Sequence, residues 1–122
     1  MAIEYSFKPQ GELMLVTTSG HDDSLEDTID YGMAVLKACL ENQCTRVLCD
    51  ERELEYRLGT VDTYQLAETA VQAAPKLVRI AIVIGPENLE DASFYETVAK
   101  NRGLSVKVFQ ELEEARDWVE AG

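Results

Sequence analysis

The chain reads as a single α/β domain on a mostly parallel five-stranded sheet with an antiparallel first strand, in the order ββαβαβαβα. Three observations predict this. The hydrophobic period switches repeatedly between two and 3.6, the spacings of a strand and of a helix face. The run Ile80-Ala81-Ile82-Val83-Ile84 is apolar at every position, as a strand covered on both faces requires. Strands alternating with helices of this length imply parallel pairing through right-handed crossovers. At 122 residues, 46% of them hydrophobic, the chain fills one domain, residues 1 to 122, with no room for a second.

The first element follows from Ile3-Glu4-Tyr5-Ser6-Phe7, which alternates apolar and polar, and from turn chemistry over residues 8 to 12. A second apolar run from 13 to 18 completes a hairpin. Residues 24 to 43 change to helical spacing, with Leu25, Ile29, Gly32, Met33, Leu36 and Leu40 on the expected inward stripe and Ser24 placed to cap the start. A short third strand is expected over residues 46 to 50, then a charged loop, then a helix from near Val61 to Ala74, stopped by Pro75. Its expected inner face is Tyr64, Ala67, Val71 and Ala74. Residues 80 to 84 are expected at the middle of the sheet, and Gly85-Pro86-Glu87-Asn88 breaks that strand. A helix over 91 to 102 turns Phe94, Val98 and Ala99 inward and ends at Gly103, a residue suited to the left-handed position after a helix. An outer strand over 104 to 108 and a closing helix marked by Leu112, Ala115, Trp118 and Val119 complete the order.

Charge narrows the function classes. Acidic residues number 23 against 11 basic ones, a formal charge of −12, which repels phosphate backbones and anionic lipid surfaces; nucleic acid is not an expected partner. No apolar run approaches the roughly 18 residues of a membrane span. MAIEYSFKPQ lacks the basic and apolar regions of a signal peptide, so the expected compartment is the cytoplasm. Cys39, Cys44 and Cys49 match neither a metal knuckle nor a disulfide framework and read as reduced, buried thiols.

The element order, the size and several phrases together resemble the STAS domains, in particular the SpoIIAA-like branch related to STAS and Sec14-like folds. The phrases are Val47-Leu48-Cys49-Asp50, the strand at 80 to 84, Asn101-Arg102-Gly103-Leu104 through to Phe109, and Glu114-Ala115-Arg116-Asp117-Trp118. The resemblance implies a regulatory module, and in its anti-sigma factor antagonists a serine is phosphorylated at the helix start after strand three. This chain has no serine there; the nearest hydroxyl is Thr60. Thr60 is either an ordinary helix cap or a phosphoacceptor served by free helix N–H groups and by Arg57.

Other candidates come from where open parallel sheets bind ligands, beyond the carboxyl ends of the strands. Ser19, His21, Asp50 and Asn88 form the expected rim there, with His21 the one group ordinarily suited to acid–base work near neutrality. His21-Asp22-Asp23 lacks metal-ligand spacing, no glycine-rich nucleotide motif occurs, and Asp50-Glu51 beside Cys49 opposes a nucleophilic thiolate. No catalytic residue, metal or cofactor is therefore expected. The charged run reads as a solvated loop or as a docking loop in which Arg52, Leu54, Tyr56, Arg57 and Leu58 meet a partner. The expected function is a non-enzymatic cytosolic module that binds another protein. Alternatives are a small apolar-ligand or lipid binder, with a pocket beside the Met33 helix as Sec14-like kinship implies, and a phosphorylation-switched anti-sigma factor antagonist.

Overall fold

The structure, a computed structural model, describes residues 2 to 73 and 77 to 122. Its elements are β1 (Ile3–Gln10), β2 (Leu13–Asp22), α1 (Leu25–Glu41), β3 (Arg46–Tyr56), α2 (Thr60–Ala73), β4 (Arg79–Ile84), α3 (Leu89–Asn101), β5 (Val106–Phe109) and α4 (Leu112–Glu120), with a 3₁₀ turn at Pro86–Asn88 before α3. The expected order is present; the expected helix stop at Ala74 and Pro75 lies outside the described residues.

The strands lie in sequence order, β1-β2-β3-β4-β5, with β1 antiparallel to β2 and every other pair parallel. Sequential parallel strands joined by crossovers of one hand place α1, α2 and α3 on the same face. The larger core cluster accordingly joins Tyr31, Val35 and Cys39 of α1, Ala67 of α2 and Val98 of α3 to Met14, Val16, Val47 and Cys49. On the opposite face α4 lays Ala115 and Val119 over Leu13, Leu48, Ala81 and Val83. The run at 80 to 84 is interior and covered on both faces, but the middle of the sheet belongs to β3, with β4 fourth in order.

Local chemistry explains the element ends. The Ser24 hydroxyl accepts the Asp27 N–H at 3.3 Å, capping α1. Gly103, at φ +96, ends α3 with two reverse bonds, its own N–H to the Lys100 carbonyl and the Leu104 N–H to the Ala99 carbonyl. Gly20, at φ +98, sits where a Cβ would fall 2.0 Å from the Ala2 carbonyl oxygen.

Three expectations need correction. The second strand runs on through Ser19, Gly20 and His21 to Asp22, and the third continues through Glu51 to Tyr56, so the expected charged loop is strand. It stays paired with β2 across a bulge, where Thr17 to Ser19 on β2 faces Asp50 to Glu53 on β3. One extra residue on β3 resets the alternation, so Glu51, Leu54 and Tyr56 all face the α1 side. In α1 the core stripe is Thr28, Tyr31, Val35, Ala38 and Cys39, one step round from the stripe expected; Met33 is 48% exposed and Leu40 69% exposed. Tyr64, Phe94 and Leu112 likewise lie on the surface instead of inward.

Candidate functional site

Residues on the displaced stripe of α1 have a different use. Ile29, Gly32, Met33 and Leu36 form one wall of a cavity of about 160 Å³, which Leu66 and Ala70 of α2 close from the other side. Leu54 and Tyr56 of β3 and Tyr95 of α3 complete it, and Met33 belongs both to the wall and to the surface.

At the sheet end of this apolar space lies Glu51, a carboxyl only 7% exposed. The Tyr31 hydroxyl donates to its Oε2 at 2.8 Å, the Tyr56 hydroxyl donates closely to its Oε1, and the Tyr31 and Thr18 hydroxyls are 2.8 Å apart. Burial pushes the Glu51 carboxyl above the ordinary glutamate range; the bonds from Tyr56 and Tyr31 pull it back only in part, and the nearby Asp22 and Asp50 carboxylates add to the rise. Burial also raises both tyrosines well above their usual range, with the Glu51 charge acting in the same direction. Asp22, 5% exposed, accepts the Arg57 backbone N–H and fastens the end of β3; burial raises its carboxyl too.

Asn88 fixes the same strand from the other side. Pairing between β3 and β4 ends at Glu51 and Ile84, and among the described residues the last part of β3 has no strand on that edge. There the Asn88 amide donates to the Leu54 carbonyl at 2.8 Å and its Oδ1 accepts the Tyr56 N–H at 3.2 Å, as a neighbouring strand would. Asn88, 3% exposed, is therefore a buried clamp and not part of an open rim.

The other expected rim residues do not gather. Asp50 holds Arg52 at 2.8 and 2.7 Å, which keeps the Asp50 carboxyl below its usual range. Its neighbour across the ladder is Thr17, and His21 lies four residues farther along β2, roughly 13 Å away at ordinary strand rise. His21 instead meets Asp23, Nε2 to carboxylate, at 3.0 Å, and Ser19 stands opposite Glu53. Among the described residues no group of three or more His, Cys, Asp or Glu side chains is arranged to hold a metal ion.

Of the five expected docking residues only Arg52 and Arg57 point outward, each engaged with acidic neighbours, Arg57 with Glu55 and Asp23 at 3.0 Å. Leu54 and Leu58 are buried at 2% and 8% exposure and Tyr56 is half-buried; the bulge and the extension of β3 turn them inward. Thr60 is exposed and is the first residue of α2; the first carbonyl of that helix, accepting the Thr63 N–H, belongs to Gly59, which holds the cap position. All three cysteines are buried and free, and burial lifts the Cys39 thiol to about 11 and Cys49 well above its ordinary range. Glu51 and Tyr31 were not among the candidates read from sequence, and Asp22 was weighed there only as a metal ligand. The signal that could have found Glu51 is the alternation Val47, Cys49, Glu51, carried one step past Asp50.

No known family profile matches the chain, and no curated protein matches it. Solved structures do. An anti-sigma factor antagonist from Mycobacterium paratuberculosis superposes with a TM-score of 0.67 at 16% identity, over 98% of this chain and 95% of that one. An uncharacterised protein of the DUF3478 family with a SpoIIAA-like fold, from Shewanella loihica PV-4, superposes with a TM-score of 0.62 at 19% identity, over 97% and 94%. The chain shares their fold, which is SpoIIAA-like.

Proposed function

Proceeding from this SpoIIAA-like fold, we propose that the chain is a non-enzymatic cytosolic regulatory module that holds a small apolar molecule between α1, α2 and the sheet. The observation that carries the reading is the cavity of about 160 Å³, walled by the very apolar residues of α1 and β3 that the sequence had assigned to core or docking. Pockets of this kind, mostly apolar with a few convergent polar groups, are where small ligands bind. The scatter of Ser19, His21, Asp50 and Asn88 supports a non-enzymatic role, since acid–base or nucleophilic chemistry needs groups within hydrogen-bond reach. A charge of −12 supports partners other than nucleic acid. Native mass spectrometry of the full chain, together with thermal melts in the presence of one-ring probes, tests the reading. A bare chain that no such probe, neutral or charged, stabilises would sink it.

A protein partner enters this proposal through a separate observation. Thr60, Val61 at 73% exposure and Tyr64 at 37% form an exposed patch at the start of α2. The unpaired N–H groups of the first turn there favour an added phosphate. On this reading Thr60 is the switch residue. Intact-mass measurement after incubation with cell extract and ATP gives an added 80 Da, roughly one phosphoryl group, on the wild-type chain and none on Thr60→Ala. Equal gain on both chains removes Thr60 from the proposal and leaves the cavity untouched.

A further inference from the structure

We propose that the cavity is selective for a small apolar amine, its ammonium seated on Glu51 between the rings of Tyr31 and Tyr56 and its hydrocarbon part between α1 and α2. This rests on the reading of the cavity as a ligand site and adds the class of ligand.

Size sets the first limit. An engineered apolar cavity of about 150 Å³ in another protein holds benzene, so a space of about 160 Å³ takes one ring or a short alkyl chain and excludes a long acyl chain. The walls set the second. Ile29, Met33 and Leu36 on one side and Leu66 and Ala70 on the other offer no polar atom to a ligand's middle, and the Thr28, Thr63 and Thr69 hydroxyls that also line the space already donate to backbone carbonyls four residues earlier.

Charge sets the third. Three carboxyls line the cavity, Glu51, Asp22 and Asp91, and among the described residues no lysine, arginine or histidine does. None of the ion pairs found among those residues includes Glu51. A buried carboxylate without a cation is unfavourable, and a ligand that brings the cation removes that penalty at the moment it binds. Glu51 has the capacity to receive it: each oxygen accepts one tyrosine O–H, and a carboxylate has about four acceptor sites. Tyr31, Tyr56 and Tyr95 present aromatic rings around the same space, the surroundings that attract an ammonium. A carboxylate- or phosphate-headed ligand meets like charge at all three acids, and the field of a chain at −12 draws cations toward the opening.

The test uses three probes of one shape on the full chain: benzylamine, toluene and benzoate, titrated at pH 7 and followed by amide shifts in NMR. Benzylamine is expected to saturate with shifts along α1, α2 and the end of β3, benzoate to give none, and toluene to bind at least tenfold more weakly. Glu51→Gln should weaken benzylamine at least tenfold and leave toluene unchanged. Ala70→Leu, which fills the cavity from α2, should abolish both, and keeps the test decisive if Glu51→Gln fails to fold. Toluene binding as tightly as benzylamine, or benzylamine indifferent to Glu51→Gln, overturns the amine proposal while the cavity stands. Benzylamine shifts confined to exposed acidic residues, or unaffected by Ala70→Leu, overturn it as surface binding. No binding of any probe ends both readings.

Discussion

Replacing Asn88 by alanine isolates the device that holds the far end of β3 against the cavity. The substitution removes the donor to the Leu54 carbonyl and the acceptor of the Tyr56 N–H, bonds of 2.8 and 3.2 Å at a side chain 3% exposed. A buried polar group left without its partner costs about 1–3 kcal/mol. The Leu54 carbonyl is the more deeply placed of the two, so the upper part of that range applies to it and the lower part to the Tyr56 N–H. The sum is roughly 3–5 kcal/mol. For a domain of this size a kcal/mol moves the melting temperature by about 3–5 °C, giving a fall of roughly 9–25 °C. Circular dichroism melts measure it, and hydrogen exchange of the Tyr56 amide locates it, since that amide should lose protection while those of β4 keep theirs. Asn88→Asp separates hydrogen bonding from volume. It keeps the shape but turns a carboxylate toward the Leu54 carbonyl, so it should destabilise at least as much as alanine. An Asn88→Ala chain that melts within 2 °C of wild type, with the Tyr56 amide still protected, would refute the strand-substitute argument.

Three further outcomes follow from the same geometry. Burial raises the Glu51 carboxyl, so the folded chain holds that proton more tightly than the unfolded chain. Its cost is absent below the ordinary value of 4.5 and grows as pH rises through the folded-state value, so Glu51→Gln should melt above wild type at pH 8 with the gap closing toward pH 4; a gap independent of pH contradicts this. Gly20→Ala, which demands a positive φ of a side-chain-bearing residue and meets the Ala2 carbonyl, should lower unfolding free energy by about 1–3 kcal/mol in urea, and an unchanged midpoint argues against the close approach of β1. Cys39, Cys44 and Cys49 should resist a disulfide-exchange reagent in the native chain and all react after denaturation; fast native labelling of Cys49 would show that it is not buried.

Much of the architecture was legible because local signals and global pairing agree. Gly103 and Ser24 mark helix ends by chemistry that does not depend on neighbours, and the apolar strand at 80 to 84 is interior as its composition demands. Boundaries failed where charge was read as solvent. Glu51 to Tyr56 carries four charged residues, yet it remains strand because β2 pairs with it on one edge and Asn88 supplies bonds on the other. The bulge then hides the alternation, since Glu51 and Leu54 share a face at a spacing of three. Asn88 itself was expected on an open rim, and nothing in its local sequence announces that its amide meets residues 34 and 32 positions earlier.

The displaced helix stripe and the inverted charged segment are two sides of one structure. α1 carries more apolar surface than one contact with a sheet can bury, so it presents Tyr31, Val35 and Cys39 to the strands and Ile29, Met33 and Leu36 to a second space. A helix with an apolar arc that wide must meet a second partner or leave greasy surface in water. Here the second space is bounded by the apolar members of the charged segment, Leu54 and Tyr56, which the bulge swings onto the same side. Side chains that met fully would have made ordinary core. Glu51 lies at the sheet end of the space they bound, with two tyrosine hydroxyls on its oxygens, and hydrocarbon packed into that end would have to displace those bonds from a buried carboxyl. The polar group that looked like part of a solvated run thus belongs to the lining of the cavity at this end of the sheet.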